Sequence, residues 1–134
     1  MHSRTALPTF ILALLLASCA SNEAPAPIIP RTGAWSMTLD LGGGNMLPFS
    51  FDLSNDSAGW IITVHNGTEH IVVDDVQLAN DTLRIRMPLF DSEFVGALSS
   101  DSAFTGHWAN HLKGPEYRIP FVASHGAGSR FPLN

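Results

Sequence analysis

From Gly33 onward the chain alternates apolar and polar residues, and that period of two constrains the fold more than any other feature. Trp35, Met37, Leu39 and Leu41 share one parity, with Ser36, Thr38 and Asp40 between them. Leu47, Phe49, Phe51 and Leu53 line one face, opposite Pro48, Ser50, Asp52 and Ser54. Successive side chains of an extended strand point to opposite faces, so the pattern specifies strands buried on one side. Turn formers interrupt it roughly every 8–12 residues: Gly42-Gly43-Gly44-Asn45, the polar stretch 55–59, Asn66-Gly67, Asn80-Asp81, Asp91-Ser92-Glu93 and 99–102. Beyond the first 18 residues no stretch carries a helical period of 3.6.

The alternation also predicts a discontinuity in the stretch 70–78. A two-residue turn at Asn66-Gly67 sets Ile62 opposite Ile71 and Trp60 opposite Val73, so odd positions point inward. Across the Asn80-Asp81 turn, Val76 meets Ile85 and Leu78 meets Leu83, so even positions point inward there. One extra residue reconciles the two halves. A β-bulge at Asp74-Asp75 supplies it, since aspartate is a poor central-strand residue. A bulged turn at Asn66-Gly67 is the alternative.

Residues 83–90 alternate cleanly, with Arg84 and Arg86 facing out beside Gln77 and Asp75, and Pro88 marks an edge or an irregular end. Strands over 94–98, 103–108 and 117–123 complete the set, with a loop over 109–116. The expectation is an all-β fold: an antiparallel up-and-down meander of about eight strands. Such a meander removes its edges by curling shut. A small calycin-like barrel or strongly curved sheet therefore follows the N-terminal signal helix, with a two-sheet sandwich as the alternative.

The chain begins with one positive charge, at Arg4, and an apolar run over residues 6–17 closed by small residues. This is the layout of a secretory signal peptide and falls short of the roughly 20 apolar residues of a membrane span. Leu16-Ala17-Ser18-Cys19 resembles the bacterial lipobox, and Cys19 is the chain's only cysteine. The resemblance implies cleavage before Cys19 and its acylation. An ordinary secretory peptide cut near Ala20 is the alternative. Residues 1–18 are then a signal peptide, 19–32 an acylated cysteine with a Pro/Ala-rich tether, and 33–134 one β-domain. The protein is expected in the cell envelope, held to a bacterial membrane through the lipid on Cys19.

Removing residues 1–18 of 134 leaves 116, enough for one domain with a core. Charged residues make up only 14% of the chain, and the few Lys and Arg are scattered, so nothing offers a basic patch to nucleic acid. One cysteine closes no disulfide within the chain, leaving packing and hydrogen bonds to hold the fold.

A second resemblance spans residues 33–131. It rests on Leu47-Pro48-Phe49, Asn66-Gly67-Thr68-Glu69, Val73-Asp74-Asp75 and the run from Ile85 through Met87-Pro88-Leu89-Phe90 to Asp91-Ser92-Glu93. It continues through Gly106-His107-Trp108-Ala109-Asn110, Tyr117-Arg118-Ile119-Pro120-Phe121 and Arg130-Phe131. These look like the β-rich N-terminal domain of envelope lipoproteins that carry a TlpA-like thioredoxin or peroxiredoxin domain further on. The chain holds no Cys-x-x-Cys, so the redox chemistry implied by that family has no thiolate here to carry it.

The chemistry-bearing residues fall into small groups. His107 and His111 are four apart on a strand running into a loop, where about 13 Å of rise separates them unless the loop folds back. His65 and His70 flank Asn66-Gly67. Asp91 and Glu93 form a carboxylate pair, with Asp74-Asp75 nearby, but a bulge and a turn account for these acids. The aromatics Trp35, Trp60, Trp108, Phe49, Phe51, Phe104 and Tyr117 fall mostly on inward parities and read as core. The expectation is a chain without catalytic residues, cofactor or metal site, in which Cys19 is the modified residue. Its role is that of a spacer or docking module for a redoxin domain or another envelope protein. A lipocalin-like barrel binding a small apolar ligand is the alternative, and a hydrolase using Asp91, Glu93 or a histidine is a weaker third.

Overall fold

A computed structural model describes residues 23–127. The signal helix and Cys19 lie outside these residues. The described chain is all-β, with one short 3-10 turn. Its strands are β1 (Gly33–Asp40), β2 (Met46–Asp56), β3 (Gly59–Asn66), β4 (Glu69–Val73), β5 (Val76–Ala79), β6 (Thr82–Met87), β7 (Ser92–Ser100), β8 (Ala103–Asn110) and β9 (Arg118–His125). Every neighbouring pair is antiparallel, in the order β4-β3-β2-β1-β9-β8-β7-β6-β5. The first and last strands pair along a seam, Trp35 opposite His125 and Leu39 opposite Phe121. The sheet is thus a nearly closed barrel whose free edges, β4 and β5, are consecutive in the chain.

The stretch expected as one bulged strand, 70–78, is two strands, giving nine rather than eight. β4 pairs only with β3, and β5 only with β6. At the joint, the Arg86 amide donates to the Asp75 carbonyl at 2.9 Å. The inward parity changes where the pattern requires: Val73 and Val76 are both buried, while Asp74 and Asp75 between them face solvent. Two residues inserted between inward positions let one segment leave one neighbour and join the next.

The register across the β3–β4 hairpin differs from expectation by two residues. Ile62 opposes Val73 and Val64 opposes Ile71, because the central turn residues are Gly67 and Thr68. Gly67 has φ 64°, and among described non-glycine residues positive φ falls only at Asn80, Asp81 and Phe90. Glycine first and a negative φ second is a II′ turn, matched to strand twist as well as the expected I′ turn would be. The Asn80-Asp81 turn is of the I′ kind, at φ 52° and 58°.

Core side chains fill the barrel. Trp35 and Phe104 are fully buried, with Met37, Phe51, Leu53, Ile62, Leu83, Ile85, Phe94, Phe121 and Ala123 around them. Trp35 stacks on Phe51 with centroids 6.2 Å apart and tilts against Phe104 at 5.3 Å. Its indole N–H donates to the Arg31 carbonyl at 2.8 Å. Phe49, Trp60 and Trp108 are partly buried against this cluster. A gap of only about 10 Å³ lies among Met37, Phe49, Ile62, Val64, Ile85 and Phe94. Expected tether residues close one end: Pro30 is buried, Ile28 packs on the core, and the Ile28 amide donates to Asp81 Oδ1 at 2.8 Å.

Candidate functional site

Strand direction gives the barrel two unlike ends. The end with the N-terminal segment carries short polar turns, at Ser57-Ala58, Asn80-Asp81 and Asp101-Ser102. There Arg31 pairs with Asp101 at 3.0 Å. The opposite end carries the loops 41–45, 67–68, 88–91 and 111–117. Leu41, Met46, Leu47, Leu89, Phe90 and Leu112 all sit there, 47% to 73% exposed. Phe90 is the most exposed and holds φ 66°, a conformation that disfavours a bulky side chain. Below it lies an apolar cup of about 230 Å³, lined by Ile71, Met87, Pro88, Leu89, Phe94 and Trp108 among others.

Beside the cup, on the outer face of β6 to β9, Glu93 is a nearly buried carboxylate, its side chain 11% exposed. Arg84 Nη1 donates to both of its oxygens at 2.8 and 2.7 Å. His111 Nε2 lies 3.3 Å from Oε1, and Arg86 Nε 3.9 Å from Oε2. The loop after β8 does fold back: the His111 amide donates to the Asp91 carbonyl at 2.7 Å, and Asn110 caps the 3-10 turn His111–Lys113. Burial alone would raise the Glu93 pKa; the hydrogen bond and charge of Arg84, with His111, outweigh it and hold the carboxyl below its ordinary value. His107 is pushed below its ordinary value by burial, then by the charges of Arg118 and Arg84, against the opposing pull of Glu93.

This arrangement stabilises a charge rather than preparing a reaction. A carboxylate committed to an arginine is a weak base, and its pKa moves away from neutrality instead of toward it. Glu93 lies between two clefts. One, of about 430 Å³, is lined by Asp74, Asp75, Arg86, Asp91 and His111; the other, of about 280 Å³, by Arg84, His107, Pro115 and Arg118. His107 and His111 thus flank one carboxylate. Asp91 and Glu93 line one cleft, but Glu93 belongs to Arg84, a pairing that sequence spacing did not anticipate. Its sequence signal is faint: Arg86 opposes Glu93 in the ladder, and Arg84 sits one same-face step away.

His65 and His70 face each other across β3 and β4 because the turn falls at Gly67-Thr68; the expected turn at Asn66-Gly67 would have set His65 opposite Thr68. Their Nδ1 atoms are 2.8 Å apart, and His65 Nε2 lies 2.6 Å from Asp52 Oδ2. Asp52 had no sequence signal beyond its outward parity. Among the described residues, no group of three His, Cys, Asp or Glu gathers around a point that would suit a metal ion. Cys19, the expected lipid-attachment residue, lies outside the described residues. No described helix is long and apolar enough to cross a membrane. In comparisons with known proteins, no family model, no curated protein and no solved structure matches the chain.

Proposed function

We propose that this chain is an envelope lipoprotein, anchored through Cys19, whose barrel is a non-catalytic docking module. Its contact surface is the apolar end formed by the loops 41–45, 88–91 and 111–117. The observation that carries this is the segregation of exposed Leu, Met and Phe to the end remote from the N-terminal segment. Contiguous exposed apolar surface marks an interaction site. The tether joins the barrel at the opposite end, where the Ile28 amide bonds Asp81, and this points the apolar end away from the anchor, toward other envelope proteins, a redoxin domain among them. Exposed Asp40, Asp91 and Glu116 flank it, which favours a protein over an anionic lipid surface.

The test combines anchor and surface. Metabolic labelling with an alkyne fatty acid should tag the wild type and not Cys19→Ser. A photo-crosslinking residue in place of Phe90 should capture a protein partner in cells, whereas one in place of Ser57 should not. Equal crosslinking from both ends, or a Cys19→Ser protein that still fractionates with membranes, overturns the proposal.

A second reading rests on the cup beneath Phe90. Ligand pockets usually measure about 300–1,000 Å³, so 230 Å³ suits a small apolar molecule or one side chain. Quenching of Trp108 fluorescence by a brominated short-chain fatty acid, lost in Met87→Trp, supports that reading; the absence of quenching removes it.

A further inference from the structure

The outer face of β2, β3 and β4 bears three polar side chains in a line that the docking role leaves unused. His65 and His70 are direct partners in the ladder, and Asp52 lies two residues along β2 from Ser50, the partner of His65. The His65 and His70 rings stand perpendicular, with centroids 4.9 Å apart. An ionised carboxylate only accepts hydrogen bonds. Asp52 therefore accepts a hydrogen bond from the His65 Nε2–H and fixes that tautomer, which leaves a lone pair on His65 Nδ1.

The tautomer of His70 is not fixed in this way. With its proton on Nδ1, His70 donates to His65 across the 2.8 Å gap. With the proton on Nε2, two imidazole lone pairs border the same gap. One of those rings is backed by a carboxylate, the outer-shell support typical of metal-ligating histidines.

We propose that His65 and His70 bind a divalent transition-metal ion through their Nδ1 atoms, with Asp52 as the carboxylate that orients His65. The 2.8 Å between the two Nδ1 atoms is a hydrogen-bond separation that brings both nitrogens within reach of one ion once the rings turn. The nitrogens now face each other, so the rings pivot outward to admit the ion; His70 is exposed and free to do so. With no third protein ligand among the described residues, water completes the shell. Copper(II), at the top of the affinity order for such ligands, is the ion expected.

Untagged mature protein, processed at Cys19 and stripped with chelator, is titrated with copper(II), nickel(II) and zinc(II) in a non-coordinating buffer. Copper(II) should bind tightest, and its paramagnetic resonance spectrum should show hyperfine coupling to two nitrogens, which His65→Gln and His70→Gln should each reduce to one or none. Asp52→Asn should weaken binding about 10-fold or more. His107→Gln, remote from the pair, should bind as wild type. Circular dichroism of each apo variant confirms folding, and the exposed His70→Gln carries the test if His65→Gln unfolds. Copper binding that survives His70→Gln unchanged, or no nitrogen coupling in the wild type, overturns the proposal.

Discussion

Gly106 faces Gly96 across the β7–β8 ladder, and the two backbones approach too closely for a side chain on Gly106. A Cβ on Gly106 would fall 1.8 Å from the Val95 carbonyl oxygen, and one on Gly96 would fall 2.7 Å from the Phe104 ring. Backbone yields less readily than an aromatic edge. Gly106→Ala should therefore destabilise by about 3 kcal/mol or more and Gly96→Ala by less, measured by urea unfolding. Titration adds a second prediction at this scale. Glu93 and His107 both have lowered folded pKa values, so the unfolded chain binds more protons and stability falls with acid. The His107 contribution is present above about pH 6.5 and the Glu93 contribution above about pH 4.3; each is lost as pH drops through the lower folded value. His107→Gln should flatten the stability profile just below neutrality, and Glu93→Gln should flatten it further into acid. The inward aromatics were legible from parity alone. The glycine pair was not, because a residue without a side chain adds nothing to a periodic pattern.

The joint between β4 and β5 depends on its length. Val73 and Val76 both point inward only because two residues separate them. Deleting Asp75 would turn Val76 and Leu78 outward and leave polar Gln77 facing the core. Each valine or leucine returned to water costs about 1.5–3 kcal/mol, so this deletion should unfold the protein at room temperature. Asp74→Ala, at an exposed position, should change stability by under about 0.5 kcal/mol. Calorimetry of the two variants checks the contrast. The parity change was legible in the sequence, but the hairpin register was not. Sliding one strand by two residues preserves which side chains point inward, so the apolar pattern is blind to it. Gly67 takes a positive φ in either register, so the turn residues do not fix it either.

The barrel as a whole is sealed at one end by chain that composition marks as a stalk. Ile28 packs on the core while neighbouring Ile29 is 58% exposed. Ile28→Ala should lower stability by about 1–2 kcal/mol, and Ile29→Ala should lower it by under about 0.5 kcal/mol; thermal melts distinguish them. The all-β meander and its closure were legible because the alternation runs throughout. The apolar end was not, since Leu41 and Leu47 share parity with buried Leu39 and Phe51 and differ only in height along the barrel. Alternation reports the face of a strand, never how far along it a residue lies.

The pairing of β1 with β9 also governs when the molecule can be born. Trp35 lies at a junction whose second half, β9, is the last of the described strands to be synthesised. Until that segment emerges, β1 has only β2 beside it, and long-range closure of this kind is slow. A nascent chain would therefore stay open until β9 has emerged, more than 80 residues after β1.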